Sequence, residues 1–156
     1  MNEDTKLIKT IYHSPCGSLY LGAVAGGLCF AKWHPIDGGE DGMNDILAAA
    51  VRELDEYFAG KRQDFDVPLC YMGGTDFQRR VWNVLKTIPY GSTISYKEES
   101  LRYGNEKAIR AVASANGCNP ISIFIPCHRV IGSDGSLTGY NGGLDKKRFL
   151  LEIERG

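Results

Sequence analysis

A cysteine and a histidine stand side by side in the segment 126–130, Pro-Cys-His-Arg-Val, directly after the apolar run 121–125. A thiol becomes a strong nucleophile only when it ionises, and a neighbouring imidazole can take its proton directly or through a water. The run predicts a buried strand that presents Cys127 and His128 at its end. We therefore expect nucleophilic chemistry at Cys127, with His128 as the base. From the pair alone a second interpretation stays open, because a lone cysteine in an apolar segment is more often a small core residue.

The sequence around this pair is longer and more specific. Asn119 precedes the apolar run, Val-Ile-Gly at 130–132 follows the pair, and a glycine-rich loop, Gly-Tyr-Asn-Gly-Gly-Leu, occupies 139–144. With these motifs the chain resembles the O6-alkylguanine-DNA alkyltransferases, suicide proteins that repair alkylated guanine. The resemblance covers the whole chain, closely from about Thr75 onward and loosely before it, where residues 14–19 look like the family's first hairpin.

The resemblance implies a role for each member of the reactive group. Cys127 would attack the O6-alkyl carbon in-line and keep the alkyl group as a thioether, so that each molecule acts once. His128 would take the thiol proton through a water, and Glu154 would hold His128 in the right tautomer. From the residues alone, Glu152 is an equally good partner for His128. Asn119 matches an asparagine that braces the turn around the cysteine. No metal and no organic cofactor is implied.

The same resemblance implies a set of substrate contacts. Tyr96 matches a tyrosine whose hydroxyl donates a hydrogen bond to the purine ring, which would offset negative charge on the departing guanine. Without the resemblance, Tyr96 would be assigned to the core. Tyr140 would close over the alkyl group, and Asn141, where the family often has another small residue, would contribute a backbone N–H. Pro126 and Val130 complete the expected substrate-binding residues.

Two short helices around a glycine turn are predicted before the reactive segment. Ser95 opens a capping-box sequence whose helix ends near Gly104, and Asn105 caps a second helix that runs through residues 106–115. This arrangement predicts a helix-turn-helix. Most proteins of that type use the major groove of DNA, whereas the resemblance implies minor-groove binding to a bent duplex. Spacing alone does not choose between the grooves.

The second helix of that pair is rich in alanine, so its outer face could approach a groove closely. Arg110 and Ser114 lie one turn apart on the same side. The resemblance implies that Arg110 fills the gap left in the base stack when the damaged nucleotide rotates out of the duplex. A surface contact with phosphate is the simpler alternative for Arg110. Lys107 and Ala111 complete the expected DNA-binding residues.

The distribution of charge agrees with a polyanionic partner for the second half only. Residues 1–74 carry 6 Lys and Arg against 11 Asp and Glu, whereas residues 75–156 carry 12 against 8. Cations placed against phosphates supply much of the affinity for nucleic acid. The acidic first half is therefore interpreted as scaffold, and the basic second half as the part that meets double-stranded DNA. A solvated face with no partner remains the alternative.

The first half predicts an α/β scaffold. Alternating runs at 7–11, 18–24 and 28–33 indicate a meander of antiparallel strands. A loop at 35–42 separates them from an amphipathic helix at about 43–59, which Gly60 would end. The resemblance implies a ribonuclease H-like domain here, formed by an antiparallel sheet plus a helix.

The domain boundary is expected between residues 67 and 74, where proline and glycines suggest a linker. An N-terminal α/β domain at 1–70 would then be followed by a mostly α C-terminal domain at 75–156 that contains the helix-turn-helix. Thr75 and Gln78 form a capping box for the first helix of this second domain, and Pro89 should stop that helix. The last helix would use Phe149, Leu150 and Ile153 as its packing face.

Composition sets the outer limits of these expectations. The 156 residues are 43% hydrophobic and 24% charged, which is ordinary for a soluble globular protein. The N-terminus lacks a basic stretch followed by an apolar core, and no run of about 18 apolar residues occurs, so a cytoplasmic protein with no membrane partner is expected. The five cysteines are widely spaced and include no Cys-x-x-Cys pair, which favours free thiols over disulfides or a zinc site. The protein is expected to be a monomer.

Two other function classes are open at this stage. Alkyltransferase-like proteins keep the fold and the helix-turn-helix but lack the reactive cysteine, and they mark lesions for other repair proteins. A cysteine hydrolase using Cys127 and His128 in acyl transfer is the third hypothesis, although no oxyanion-hole signature accompanies the pair. The sequence does not rank methyl against bulkier alkyl groups or decide whether O4-alkylthymine is accepted.

Overall fold

The structure, a computed structural model, describes residues 5–156, which divide into two compact units after Met72. The first unit begins with three consecutive antiparallel strands, and this confirms the predicted meander. They are β1 (Ile8–Ser14), β2 (Gly17–Val24) and β3 (Gly27–Lys32). Leu19, Leu21 and Leu28 are fully buried on the face of the sheet that forms the core of this unit.

A short fourth strand, β4 (Glu40–Asp41), pairs in parallel with β1, so the sheet has the order β3-β2-β1-β4. The sequence predicted only a loop over this segment and an antiparallel sheet. Both predictions were wrong at β4, because two exposed acidic residues carry no alternating pattern that marks a strand. The predicted fold class, an α/β unit followed by a mostly helical one, is confirmed.

In the first unit, α1 (Asp45–Phe58) lies close to its predicted bounds. Asn44 caps it by accepting a hydrogen bond from the backbone N–H of Leu47. The helix buries its apolar face, including Leu47, Leu54 and Tyr57, against the sheet.

The predicted linker begins later than the sequence suggests. Leu28 N donates to Pro68 O at 2.8 Å, and Cys70 N donates to Leu28 O at 2.9 Å, so this segment runs beside β3. The buried carboxylate of Glu53 accepts hydrogen bonds from the backbone N–H groups of Asp66 and Val67. Residues 67–70 therefore belong to the first unit, and a proline in this stretch does not prevent it from packing beside an edge strand.

The second unit is mostly helical. Its elements are α2 (Asp76–Leu85), β5 (Ile94–Ser95), α3 (Tyr96–Tyr103), α4 (Ile109–Gly117), β6 (Val130–Ile131) and α5 (Leu144–Arg155), with β5 and β6 paired in parallel. The predicted capping box of Thr75 and Gln78 is present at the start of α2. That helix ends at Leu85, before the predicted stop at Pro89. No helix in the described part of the chain is long and apolar enough to cross a membrane.

The predicted helix-turn-helix is formed by α3 and α4. Ser95 caps α3 by accepting from the backbone N–H of Glu98, and Gly104 ends it with a φ of 111°, a conformation that glycine adopts without steric cost. Asn105 caps a 3-10 turn at Glu106–Ala108 that leads into α4, so the predicted cap is right but the helix begins three residues later. Val81, Val112 and Ala115 form the core between α2 and α4.

Candidate active site

The apolar run before the cysteine folds as a tight turn and not as the predicted strand. Ile125 N donates to Ile121 O at 2.9 Å, and Ile123 adopts a φ of 74°. A β-branched residue pays a steric penalty in this left-handed region, on the order of 1–3 kcal/mol. The whole run is buried. Because a fully buried strand and a fully buried turn are both apolar, the composition of the run does not distinguish them, and the strand prediction failed for this reason.

Asn119 closes this turn from one side. Its Nδ2 donates to Ile125 O at 2.8 Å, and its Oδ1 accepts from Ile121 N at 3.0 Å, so one amide spans both ends of the turn. The Asn119 side chain also hydrogen-bonds the thiol of Cys127 in a way that lowers the pKa of that thiol. Cys127 then begins a 3-10 turn, Cys127–Arg129, so its position is set by the turn that precedes it.

The thiol lines a cavity of about 270 Å³. Of the residues expected at the site, Tyr96, Cys127, Tyr140 and Asn141 line this cavity. The other lining residues are Ala113, Asn116, Gly117 and Gly139. Neither Pro126 nor Val130 is among the described residues in its wall, and both are buried, Val130 as part of β6. Of the expected substrate contacts, Tyr96, Tyr140 and Asn141 therefore line the cavity, and Pro126 and Val130 do not.

His128 and Glu154 are both buried, and their side chains meet directly. His128 Nε2 and Glu154 Oε2 lie 2.7 Å apart. Arg129, which the sequence did not single out, donates from Nε to Glu154 Oε1 at 2.8 Å and from Nη2 to Oε2 at 3.0 Å. His128 and Arg129 outweigh burial and hold the pKa of Glu154 far below its ordinary value. Glu152, the equally fair choice from sequence, is exposed.

These contacts determine the protonation of the imidazole. An ionised carboxylate can only accept, so His128 Nε2 carries the proton that it donates to Glu154. Burial lowers the pKa of His128, although Glu154 acts in the opposite direction, so the ring is neutral at pH 7. Its Nδ1 is therefore an unprotonated nitrogen, and within residues 5–156 it has no hydrogen-bond partner. The arrangement presents a buried base with a free lone pair.

The thiol itself is protonated in the resting protein. Burial raises the pKa of Cys127 to about 11, while Asn119 and Lys147 lower it and Glu99 raises it further. A group with so high a pKa reacts at neutral pH only when a base removes its proton in the course of the reaction.

Lys147 is a site residue that sequence reasoning missed. It is fully buried on α5, and its Nζ donates to Thr138 O at 2.8 Å and to Gly139 O at 3.1 Å. Tyr96 also donates to Thr138 O, at 2.9 Å. Both side chains thus hold the loop that carries Tyr140. The signal was available in the helix register, because Lys147, Leu150, Leu151 and Glu154 form the buried stripe of α5, at positions i, i+3, i+4 and i+7.

The predicted packing face of α5 was therefore only partly right. Leu150 is buried, but Phe149 and Ile153 are half-buried, and two charged residues, Lys147 and Glu154, are buried beside Leu150 and Leu151 instead. Lysine and glutamate are rarely buried without partners. Here Lys147 has two carbonyl acceptors, and Glu154 accepts from His128, from Arg129 and from the backbone N–H of Gly91.

The residues expected to meet DNA are on the outside of the helix-turn-helix. Lys107, in the 3-10 turn, and Arg110, Ala111 and Ser114, on α4, are all exposed. Other residues of the same helix, Ala113 and Asn116 among them, line the cavity. One helix therefore supplies both an exposed face with a cation and part of the wall around the thiol.

Comparison with known proteins identifies both units. The family model described as 6-O-methylguanine DNA methyltransferase, DNA binding domain, matches residues 76–156, and the ribonuclease-like domain of the same family matches residues 7–71. A curated relative from Methanosarcina acetivorans, a methylated-DNA--protein-cysteine methyltransferase, is 45% identical over 150 residues, which cover 92% of this chain and 96% of the relative. A relative of the same name from Mycobacterium bovis is 53% identical over 123 residues, which cover 79% and 70%.

Solved structures show the same fold. The crystal structure of the Mycobacterium tuberculosis O6-methylguanine methyltransferase superposes with a TM-score of 0.87 at 43% identity, covering 96% of this chain and 93% of that one. The structure of OGT from the same organism in complex with DNA gives a TM-score of 0.85 at 44% identity, covering 97% and 93%.

Proposed function

The chain belongs to the 6-O-methylguanine DNA methyltransferase family, and from that premise we propose that Cys127 is the acceptor to which it moves the alkyl group of O6-alkylguanine. The enzyme is a methylated-DNA--protein-cysteine methyltransferase. The observation that carries the assignment of Cys127 is its place in the cavity wall, next in sequence to a buried, neutral histidine whose Nδ1 has no partner in the described part of the chain.

The proton and the alkyl group move in opposite directions in this mechanism. His128 Nδ1 takes the proton of the Cys127 thiol through one bridging water as the sulfur attacks the alkyl carbon. The new S–C bond forms while the C–O6 bond breaks, and guanine leaves with the electron pair of that bond. Guanine then takes up a proton from water on its ring, and the imidazolium of His128 returns the thiol proton to water. Glu154 stabilises the imidazolium that forms in between. A thioether has no easy leaving route, so each molecule acts once.

Tyr96 stabilises the leaving guanine by donating a hydrogen bond to a ring nitrogen. Burial raises the pKa of Tyr96, so the hydroxyl keeps its proton and acts as a donor. Since that proton is donated to Thr138 O at 2.9 Å before substrate enters, binding of the base exchanges this contact for one with the purine. Thr138 O keeps the ammonium of Lys147 as a donor after the exchange, which lowers the cost of releasing Tyr96.

Asn119 keeps the active-site turn closed during transfer, and Tyr140 and Asn141 enclose the alkyl group. The base reaches this cavity by rotating out of the duplex, because an alkylated oxygen among stacked pairs is out of reach of a protein thiol. The rotation costs a few kcal/mol, and less for a base that alkylation has already mispaired.

DNA is bound by the exposed face of the helix-turn-helix. The structure of a relative at 44% identity is a complex with DNA, and α4 here presents Arg110, Ala111 and Ser114 to solvent, with Lys107 just before it. We place this face in the minor groove, with Arg110 filling the gap that the extruded base leaves. O4-alkylthymine is a further proposed substrate. A monomeric state and a cytoplasmic location stay predictions.

The test is intact mass spectrometry with peptide mapping after the protein is mixed with duplex DNA that contains one O6-methylguanine. We expect a gain of one methyl group on Cys127 that saturates at one equivalent of DNA. Cys127→Ala should bind the DNA and gain no mass, while Cys118→Ser, which changes an exposed thiol, should react like the wild type. Transfer by Cys127→Ala would overturn the assignment. An unchanged wild-type mass despite tight lesion binding would indicate damage recognition without transfer.

A further inference from the structure

A buried carboxyl group that the proposed mechanism does not use lies behind the cavity wall. Glu99, on α3, is 0% exposed. Its Oε1 accepts a hydrogen bond from Nδ2 of Asn116, on α4, at 2.7 Å, and Asn116 lines the cavity beside Cys127. Glu99 Oε2 and Asn116 Oδ1 are also buried and have no partner among the described residues. Such a placement is costly for an acidic side chain, which suggests that it has a function.

The charge of Glu99 acts on the groups that would perform the chemistry. From α5, Lys147 interacts with it electrostatically, and from the 3-10 turn, Cys127 does so. From its own helix, Tyr96 is affected as well. Burial raises the pKa of Glu99 to about 7, although the hydrogen bond from Asn116 and the charge of Lys147 oppose the rise.

We propose that Glu99 is a positioning residue of this site, which holds the Asn116 amide in the cavity wall and, through its charge, limits how readily Cys127 gives up its proton. The proposal rests on the assignment of Cys127 as the alkyl acceptor. Lys147 opposes the effect of Glu99 on the thiol. Burial lowers the pKa of the Lys147 ammonium, while the negative charges of Cys127 and Glu99 act in the opposite direction and favour its charged form. The reactivity of Cys127 is therefore set by the balance between one buried anion and one buried cation.

This arrangement has a consequence for pH dependence. Below about pH 6 Glu99 is neutral and has no effect on the charge of the thiol, because the pKa of Glu99 is about 7. As the pH rises through 7, Glu99 ionises and adds a negative charge that opposes a second one on Cys127. The reaction rate of the thiol should therefore rise less steeply with pH than that of an isolated cysteine.

The test compares Glu99→Gln with Glu98→Gln. Glutamine keeps an acceptor for Asn116 and removes the charge, while Glu98 is the neighbouring glutamate, whose salt bridge with Arg102 is at the surface. The rate of alkylation of Cys127 by iodoacetamide is followed from pH 5.5 to 9 by peptide mass mapping. We expect Glu99→Gln to match the wild type below pH 6 and to react roughly threefold to tenfold faster at pH 8, because one unit of pKa is a tenfold change in ionisation.

A second measurement needs no variant. The logarithm of the wild-type rate should rise with a slope below one near pH 7, whereas a single thiol gives a slope of one. A wild-type slope of one, or a Glu99→Gln profile that coincides with those of the wild type and Glu98→Gln, would overturn the proposal. These outcomes do not test the assignment of Cys127 as the alkyl acceptor. That assignment is overturned only if Cys127→Ala still gains a methyl group from DNA.

Discussion

Arg129 donates to both carboxylate oxygens of Glu154, from Nε at 2.8 Å and from Nη2 at 3.0 Å. His128 shares Oε2 with Arg129. Because the guanidinium keeps the carboxylate ionised, Glu154 can only accept from His128, and the imidazole is left with its lone pair on Nδ1. A charged residue immediately after the histidine thus decides which nitrogen can serve as the base.

Glu154→Gln should slow alkyl transfer on the order of 100-fold or more. The amide carries no charge to stabilise the imidazolium, so His128 becomes a weaker base. The measurement is single-turnover transfer from duplex DNA with O6-methylguanine, together with the affinity for that DNA, which should be unchanged. Glu152→Gln, an exposed position on the same helix, is the control. Equal rates for Glu154→Gln and Glu152→Gln would refute a role for Glu154.

Arg129→Met should lower the free energy of unfolding by about 3–5 kcal/mol, because Glu154 then keeps a buried negative charge that has lost its guanidinium partner. The variant also loses the hydrogen bond from Nη1 to Ile88 O at 2.7 Å. Urea unfolding at pH 7 measures the change. In the double variant with Glu154→Gln, the loss in the free energy of unfolding should be smaller than the sum of the losses in the two single variants. Each single change leaves one buried charge without its partner, whereas the double change removes both charges. Strict additivity would show that the two side chains do not interact energetically.

The parts of the fold that the sequence predicted well are those that local interactions determine. Thr75 and Gln78 satisfy each other's backbone groups within one turn of helix, and Gly104 is needed wherever a helix ends in the left-handed region. Such signals are complete within a few residues. The segment at Ile123 was predicted wrongly because its composition satisfies either a strand or a buried turn, and the choice depends on Asn119, which lies outside the run.

The site residues that the sequence did not predict are buried charges. Lys147 and Glu99 would be expected at the surface from their types alone, and Arg129 had no assigned partner. Each is buried because residues outside its own helix or turn satisfy it: Thr138 for Lys147, Asn116 for Glu99 and Glu154 for Arg129. These pairings depend on how α3, α4 and α5 pack together, which no local pattern encodes.

Glu99→Gln should stabilise the protein at pH 8 and not at pH 5. Burial raises the pKa of Glu99 to about 7 from an ordinary value of 4.5. Between pH 4.5 and 7 the folded protein binds more protons at Glu99 than the unfolded chain does. The free energy of unfolding therefore falls as the pH rises, by up to about 3 kcal/mol above pH 7. The gain in the free energy of unfolding of Glu99→Gln at pH 8 should be smaller than this amount, because the substitution also removes the negative charge beside Lys147.

Urea unfolding of the wild type and Glu99→Gln at both pH values measures this difference. The free energy of unfolding of Glu98→Gln should follow that of the wild type at both pH values, because this variant keeps Glu99 and changes only a carboxylate at the surface. A difference between wild type and Glu99→Gln that is the same at pH 5 and pH 8 would mean that Glu99 does not titrate in this range.

Arg110→Ala should separate binding of DNA from transfer of the alkyl group. The side chain is exposed on α4 and is proposed to fill the gap left by the extruded base, so its loss should slow transfer from duplex DNA more than it weakens binding. Transfer from free O6-methylguanine should be unchanged, because that substrate needs no extrusion. Arg52→Ala, which removes an exposed cation of α1, should alter neither reaction. If Arg110→Ala weakens binding, lowers the salt dependence of the affinity by about one charge and leaves transfer from bound duplex unchanged, then Arg110 contacts phosphate and another residue fills the gap.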